Sequence, residues 1–179
     1  GFRTTLGLVS RSAIVPLYLR NDVVGPMCRT VEDATRVLDV IAGYDPDDPL
    51  TAYSEGEIPD SYLDYLDENG LQGARIGVLR QLSDDDPHPE ISALFSQAIA
   101  DLDSLGATIV DPVAIPGFDS LRQNQWCADF RQDLEAFLAT YVQSDTLQTL
   151  EDIIAVGTRS DFAAGRLERQ AGDEGRYQN

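Results

Sequence analysis

The chain has 179 residues, 42% of them hydrophobic, enough for a domain of ordinary size with a buried core. Thirteen basic side chains face 31 acidic ones, a formal charge of −18; such a field repels phosphate backbones and anionic headgroups and argues against nucleic-acid or membrane-surface partners. No apolar run approaches the ~18 residues of a membrane span, residues 1–20 lack the apolar core of a signal peptide, and Cys28 and Cys127 make neither a disulfide framework nor a CxxC pair, so a cytoplasmic protein with free thiols is expected.

All thirteen basic residues are arginines. Arginine stays protonated and cannot act as a general base, so lysine chemistry is excluded for these residues. The first residues, "GFRTTLGLVSRSAIVP", and the last, "RLERQAGDEGRYQN", both read as text cut from something longer.

In chain order, residues 13–19, "AIVPLYL", are apolar and partly β-branched, with Pro16 restricting them to an edge strand or extended segment. Gly25-Pro26 signals a chain reversal. Thr30 and Asp33 resemble a capping box, and Glu32 and Asp33 place negative charge at the positive end of a helix dipole. Val31, Ala34, Val37, Leu38, Ile41 and Ala42 share one helical face, with Gly43 expected as a left-handed cap. "YDPDDPL" leaves that helix as an acidic turn, and residues 51–73 form an acidic connection with a short helical candidate at 60–67 and a turn at Asn69-Gly70.

"ARIGVL" (74–79) reads as a buried strand. After the acidic entry "DDDPHPE", Ile91, Leu94, Phe95, Ala98, Ile99, Leu102 and Leu105 mark one helical face, closed by Gly106. "ATIVD" (107–111) is a second strand. Strand, helix and strand make a βαβ unit over 74–111, with parallel strands and a right-handed crossover. Residues 119–171 read as a helical region, and the fold class is α/β in one domain spanning 1–179.

Residue chemistry alone yields no catalytic, cofactor-binding or metal-ligating residue, and substrate-binding residues stay unknown. Ser10 and Ser12 lack a base in reach and an oxyanion hole. His88, the single histidine, sits between prolines in an acidic loop and reads as solvated. "DDDPHPE" lacks the ligand spacing of a calcium loop, Gly1 and Gly7 form no phosphate-binding loop, and "WCADF" reads as core.

Residues 1–48 nevertheless carry a long and specific text: Gly1, Arg3, Thr5, Gly7, Val9-Ser10-Arg11, Pro16-Leu17, Asp22, Gly25-Pro26-Met27 and Arg29-Thr30-Val31-Glu32-Asp33-Ala34. This resembles the amidase signature family, the serine amidases that include the A subunit of glutamyl-tRNA amidotransferase; "LQGARIGVL", "SLGATIVDPV" and "DFRQDLEAFLA…TLEDIIA" extend the resemblance over nearly the whole chain. It implies part of a mixed sheet covered by helices, with 1–48 beside the active site, a small carboxamide as substrate and no cofactor. The sequence departs from the family's text at Thr4 (usually proline), Ala13 (glycine), and Tyr18 and Arg20 (serines); Arg20 suggests an acidic substrate group. The family's triad is a serine nucleophile, a second serine after a cis peptide bond and a lysine base, all upstream of the equivalent of Gly1, so none falls on a position here. The resemblance implies a segment of an amidase, inactive alone; the alternative is a non-catalytic interaction or regulatory module derived from one. Apolar residues Ile14, Val15, Leu17 and Leu19, left uncovered in such a segment, predict a homo-oligomer.

Overall fold

A computed structural model describes residues 1–83, 88–122 and 129–172. The chain forms two compact units, Gly1–Tyr62 with Gln125–Asn179, and Leu63–Asn124.

The first unit opens with loops. Phe2 N–H donates to the Pro26 carbonyl (2.9 Å) and the Thr4 hydroxyl to the Val24 carbonyl (2.8 Å), so residues 2–4 lie against residues 24–26. Gly25 is required there, because a Cβ at that position would fall 2.0 Å from the Phe2 carbonyl oxygen. Residues 13–19, expected as an edge strand or extended segment, are turns, bends and irregular backbone with no strand pairing. The Asp22 carboxylate explains why: it accepts from the Leu17 and Tyr18 N–H groups (both 2.8 Å), curling the segment back on itself.

Helix α1, Val31–Ile41, starts where the sequence places it, with the Thr30 hydroxyl accepting from Asp33 N–H at 3.0 Å. It does not end on a left-handed Gly43. Ala42 is the last cap residue, in extended conformation, and pairs with Val9 as an isolated antiparallel bridge; Gly43 N–H then donates to the Leu8 carbonyl (3.1 Å). A backbone bridge to Val9, and not a left-handed cap, follows the end of this helix. Of its apolar face only Leu38 is fully buried. The acidic turn after it leads into a 3-10 helix, Pro49–Ser54, capped by the Asp48 side chain, and a second such helix, Tyr62–Tyr65, replaces the broader candidate at 60–67.

The same unit holds the main apolar core. Helix α5 (Phe130–Phe137) continues as a π-helical turn, Leu138–Val142, and α6 (Leu150–Val156) and α7 (Asp161–Gly172) follow. Phe130, Leu134, Leu138 and Leu150 form one buried cluster, flanked by Phe137, Ile153, Ile154, Leu167 and Ala171. Helix α6 begins on a full capping box: Thr149 Oγ1 accepts from Asp152 N–H (3.2 Å), and the Asp152 carboxylate accepts from Thr149 N–H (2.9 Å).

The second unit is the βαβ element. Strand β1 (Arg75–Gly77) pairs in parallel with β2 (Thr108–Val110), in the register Ile76 to Ile109. Between them lie a short helix α2 (Arg80–Ser83), absent from the sequence reading, and α3 (Pro89–Ser104). Gly106 closes α3 in the left-handed region, φ 97°, as expected. Gly77 is where Val113 crosses the sheet: a Cβ there would meet the valine Cγ2 at 2.7 Å. The expected apolar face of α3 is only partly covered: Ile99 and Leu102 are half-buried, while Ile91, Leu94 and Leu105 stay exposed. Helix α4 (Phe118–Arg122) ends the described part of this unit. The α/β class is thus present as helices plus a two-stranded parallel sheet.

Candidate functional site

The motif text of residues 7–22 and the acidic text of 45–51 meet in the first unit, and each explains the other. Asp48 is 5% exposed and Arg11 10% at their side chains. The guanidinium grips the carboxylate with two bonds, Nε to Oδ2 (2.8 Å) and Nη2 to Oδ1 (2.7 Å), and Arg11 N–H adds a third to Oδ2 (2.9 Å). The remaining Nη1 donates to the Leu19 carbonyl. Such a planar fork matches a carboxylate in a way that lysine cannot. The Arg11 side-chain bond, ahead of the opposing effect of burial, holds the Asp48 carboxyl below the usual carboxylate range, and the same bond raises the guanidinium.

A second clasp lies beside the first. The Ser10 hydroxyl donates to Asp45 Oδ2 at 2.5 Å and accepts from Ser12 N–H at 3.0 Å. Thr51, fully buried, accepts from Asp45 N–H (2.8 Å) and donates to the Asp48 carbonyl (2.7 Å), fixing the spacing of the two aspartates. The segment so held contains Ala13 at φ 59°, a left-handed conformation in a position where the family's text has glycine.

Both motif serines have hydrogen-bond partners in this geometry. Ser10 is committed to Asp45, and Ser12 Oγ lies 2.9 Å from the Tyr141 hydroxyl; neither has a histidine or lysine partner. His88 caps α3, its Nδ1 accepting weakly from Glu90 N–H at 3.3 Å. Cys28 is a partly buried free thiol. Of "WCADF", Trp126, Cys127 and Ala128 lie outside the described residues, and Phe130 is core. Arg20 lies 3.8 Å from Asp129, an exposed ion pair that directs its charge at the protein's own carboxylate. Among the described residues no group of three or more His, Cys, Asp and Glu could hold a metal ion, and no helix is long and apolar enough to cross a membrane.

Beside the clamp is a cavity of about 420 Å³. Its walls come from residues 11–19 and 47–49 on one side and from α5 and its π-helical continuation on the other, with Asp133 among the lining residues. Sequence reasoning missed Asp45, Asp48, Asp133 and Tyr141. The spacing Asp45-x-x-Asp48-Pro49-x-Thr51 was visible, but as a turn; nothing local says that its partner is Arg11.

The sequence profile of the Amidase family matches residues 1–174. A probable amidase of Arabidopsis thaliana is 34% identical over 97% of this chain and 33% of its own length. The A subunit of glutamyl-tRNA(Gln) amidotransferase from Microcystis aeruginosa is 39% identical over 66% of this chain and 23% of its own. Among solved structures, an amidase family protein from Bacillus anthracis superposes with a TM-score of 0.72 at 28% identity, covering 96% of this chain and 34% of that one. The native peptide amidase of Stenotrophomonas maltophilia gives 0.66 at 33%, covering 91% and 32%. The chain spans about a third or less of the length of these relatives. With a matching profile over nearly every residue and the fold of solved amidases, this chain belongs to the amidase family.

Proposed function

We propose that these residues are the scaffold part of an amidase that cleaves the carbon–nitrogen bond of a small carboxamide through a serine acyl-enzyme, with nucleophile and base supplied from outside the 179 residues. One observation carries this reading: both serines of the motif are held in structural hydrogen bonds, while the family profile runs from residue 1 to 174. A serine becomes a nucleophile only beside a base that can take its proton, and the text that resembles the family's signature is used here to fold a loop. The signature's job in this segment is positional. Arg11 and Ser10 tie the start of this segment to Asp48 and Asp45 in the turn after α1, which is the rigidity that an active-site neighbour needs. The reading includes a cytoplasmic setting, in keeping with the free Cys28 thiol.

Two arms test it. The purified chain should release no ammonia from a panel of carboxamides. A chimera of the Stenotrophomonas maltophilia peptide amidase, its corresponding third replaced by this chain, should hydrolyse that enzyme's substrate, and Arg11→Met in the chimera should lower the rate. Turnover by the chain alone that disappears in Ser10→Ala or Ser12→Ala overturns the proposal. So does a chimera that folds, retains its own serines and lysine, and is inactive.

A further inference from the structure

The cavity beside the clamp has a chemical character that the scaffold role does not use. At about 420 Å³ it falls within the range of small-molecule sites. One wall is apolar, built from Ile14, Pro16, Leu19 and Phe137. The other carries carboxylates with unequal commitments. Asp48 is neutralised by Arg11. Asp133 lines the same cavity from α5 and accepts no hydrogen bond among the described residues.

The charges around Asp133 do not balance. Asp129, Asp22 and Asp133 itself face Arg11 and Arg20 across its surroundings, with Asp47 and Asp48 also on the cavity wall. Each guanidinium nitrogen of Arg11 already donates to Asp48 or the Leu19 carbonyl, and among the described residues Arg20 pairs with Asp129, at 3.8 Å. On the wall itself three carboxylates, Asp47, Asp48 and Asp133, face the single guanidinium of Arg11 among the described residues, which leaves the cavity negative. Burial first, then Asp129 and Asp22, push the Asp133 carboxyl above its usual range, against the opposing pull of Arg11 and Arg20.

We propose that this cavity binds an amphipathic monocation, an arylalkyl or alkyl ammonium, with its ammonium on Asp133 and its apolar body against Phe137, Ile14 and Pro16. An ammonium supplies the charge and the donors that Asp133 lacks, while the apolar body replaces water along the opposite wall. A neutral isostere would gain the second term and not the first. An anion would meet the carboxylates and be rejected. The test reads binding alone, so its outcome is distinguishable from that of the hydrolysis experiments.

The probe is phenethylamine against phenethyl alcohol, titrated into the full 179-residue chain by NMR at about 150 mM salt, where a Debye length of about 8 Å screens diffuse attraction to an acidic surface. The expected result is saturable shifts confined to residues 12–19 and 133–141, and binding of the amine at least tenfold tighter than the alcohol, about 1.4 kcal/mol. Asp133→Asn, with an unchanged circular dichroism spectrum, should erase that preference. Equal affinity for amine and alcohol in the unaltered chain overturns the proposal without any variant. Shifts scattered over the acidic surface, or an amine preference that survives Asp133→Asn, overturn it as well.

Discussion

Replacing Arg11 by methionine removes the guanidinium but keeps a side chain of similar length, and isolates the clamp. Asp48 would keep the Arg11 and Leu50 N–H groups (2.9 and 3.4 Å) and lose both side-chain bonds, at 2.8 and 2.7 Å, with the Leu19 carbonyl also left unpaired. Breaking a buried pair by deleting one partner costs about 3–5 kcal/mol. The surviving N–H bonds place this case at the lower end, about 3 kcal/mol. With a urea slope of roughly 2 kcal/mol/M, the midpoint at pH 7 should fall by about 1.5 M, a large part of the roughly 5–15 kcal/mol that holds a domain together. Urea titration by far-UV circular dichroism measures it. The acid limb supplies a second reading. Because the folded Asp48 carboxyl is depressed, chiefly by its bond to Arg11, its contribution is complete above the ordinary carboxylate value of about 3.9 and is lost as pH falls through the folded value. The variant should show a flatter loss of stability on acidification. A midpoint shift under about 0.3 M, or an acid limb identical to the unaltered chain's, would refute the claim that this pair organises the loop.

Further outcomes can be measured with the same titration. Ala13→Gly should leave stability unchanged or raise it by up to about 1 kcal/mol, since relief of a left-handed alanine, about 1–2 kcal/mol, outweighs the entropy of an added glycine, about 0.5–1 kcal/mol. Gly25→Ala should be severely destabilising because its Cβ would collide with the Phe2 carbonyl oxygen, whereas Gly165→Ala, in α7 with nothing within 4 Å of the new Cβ, should stabilise, by about 0.5–1 kcal/mol. Leu150→Ala empties the centre of the core cluster, where Leu150 is 0% exposed, at a cost of about 2–5 kcal/mol; Thr149→Ala, which removes only the cap beside it, should cost about 1 kcal/mol. Analytical ultracentrifugation should find a dimer that salt favours, because Ile14, Val15 and Leu17 are all exposed and screening relieves the repulsion between copies carrying −18 charges each; a monomer at every salt concentration would be the contrary result.

Local chemistry determined a good deal by itself. The start of α1 follows from Thr30 and Asp33, the closure of α3 from Gly106, and the parallel pairing of 75–77 with 108–110 from a strand–helix–strand pattern that permits little else. The motif text of residues 1–48 carries the family's signature by itself. These are signals carried within a few residues or by one continuous pattern. What tertiary structure decided is everything that depends on a distant partner. Residues 13–19 have the composition of an extended segment, yet Asp22 bends them, and Arg11, itself bound to Asp48 37 residues away, holds their end through the Leu19 carbonyl. Ala42, at the end of helix α1, pairs with Val9, and no feature of "IAGY" says so. The cavity and its unbalanced Asp133 exist only because α5 folds beside the clamp. A charge's role depends on which opposite charge lies within a few ångströms, and sequence spacing does not encode that distance.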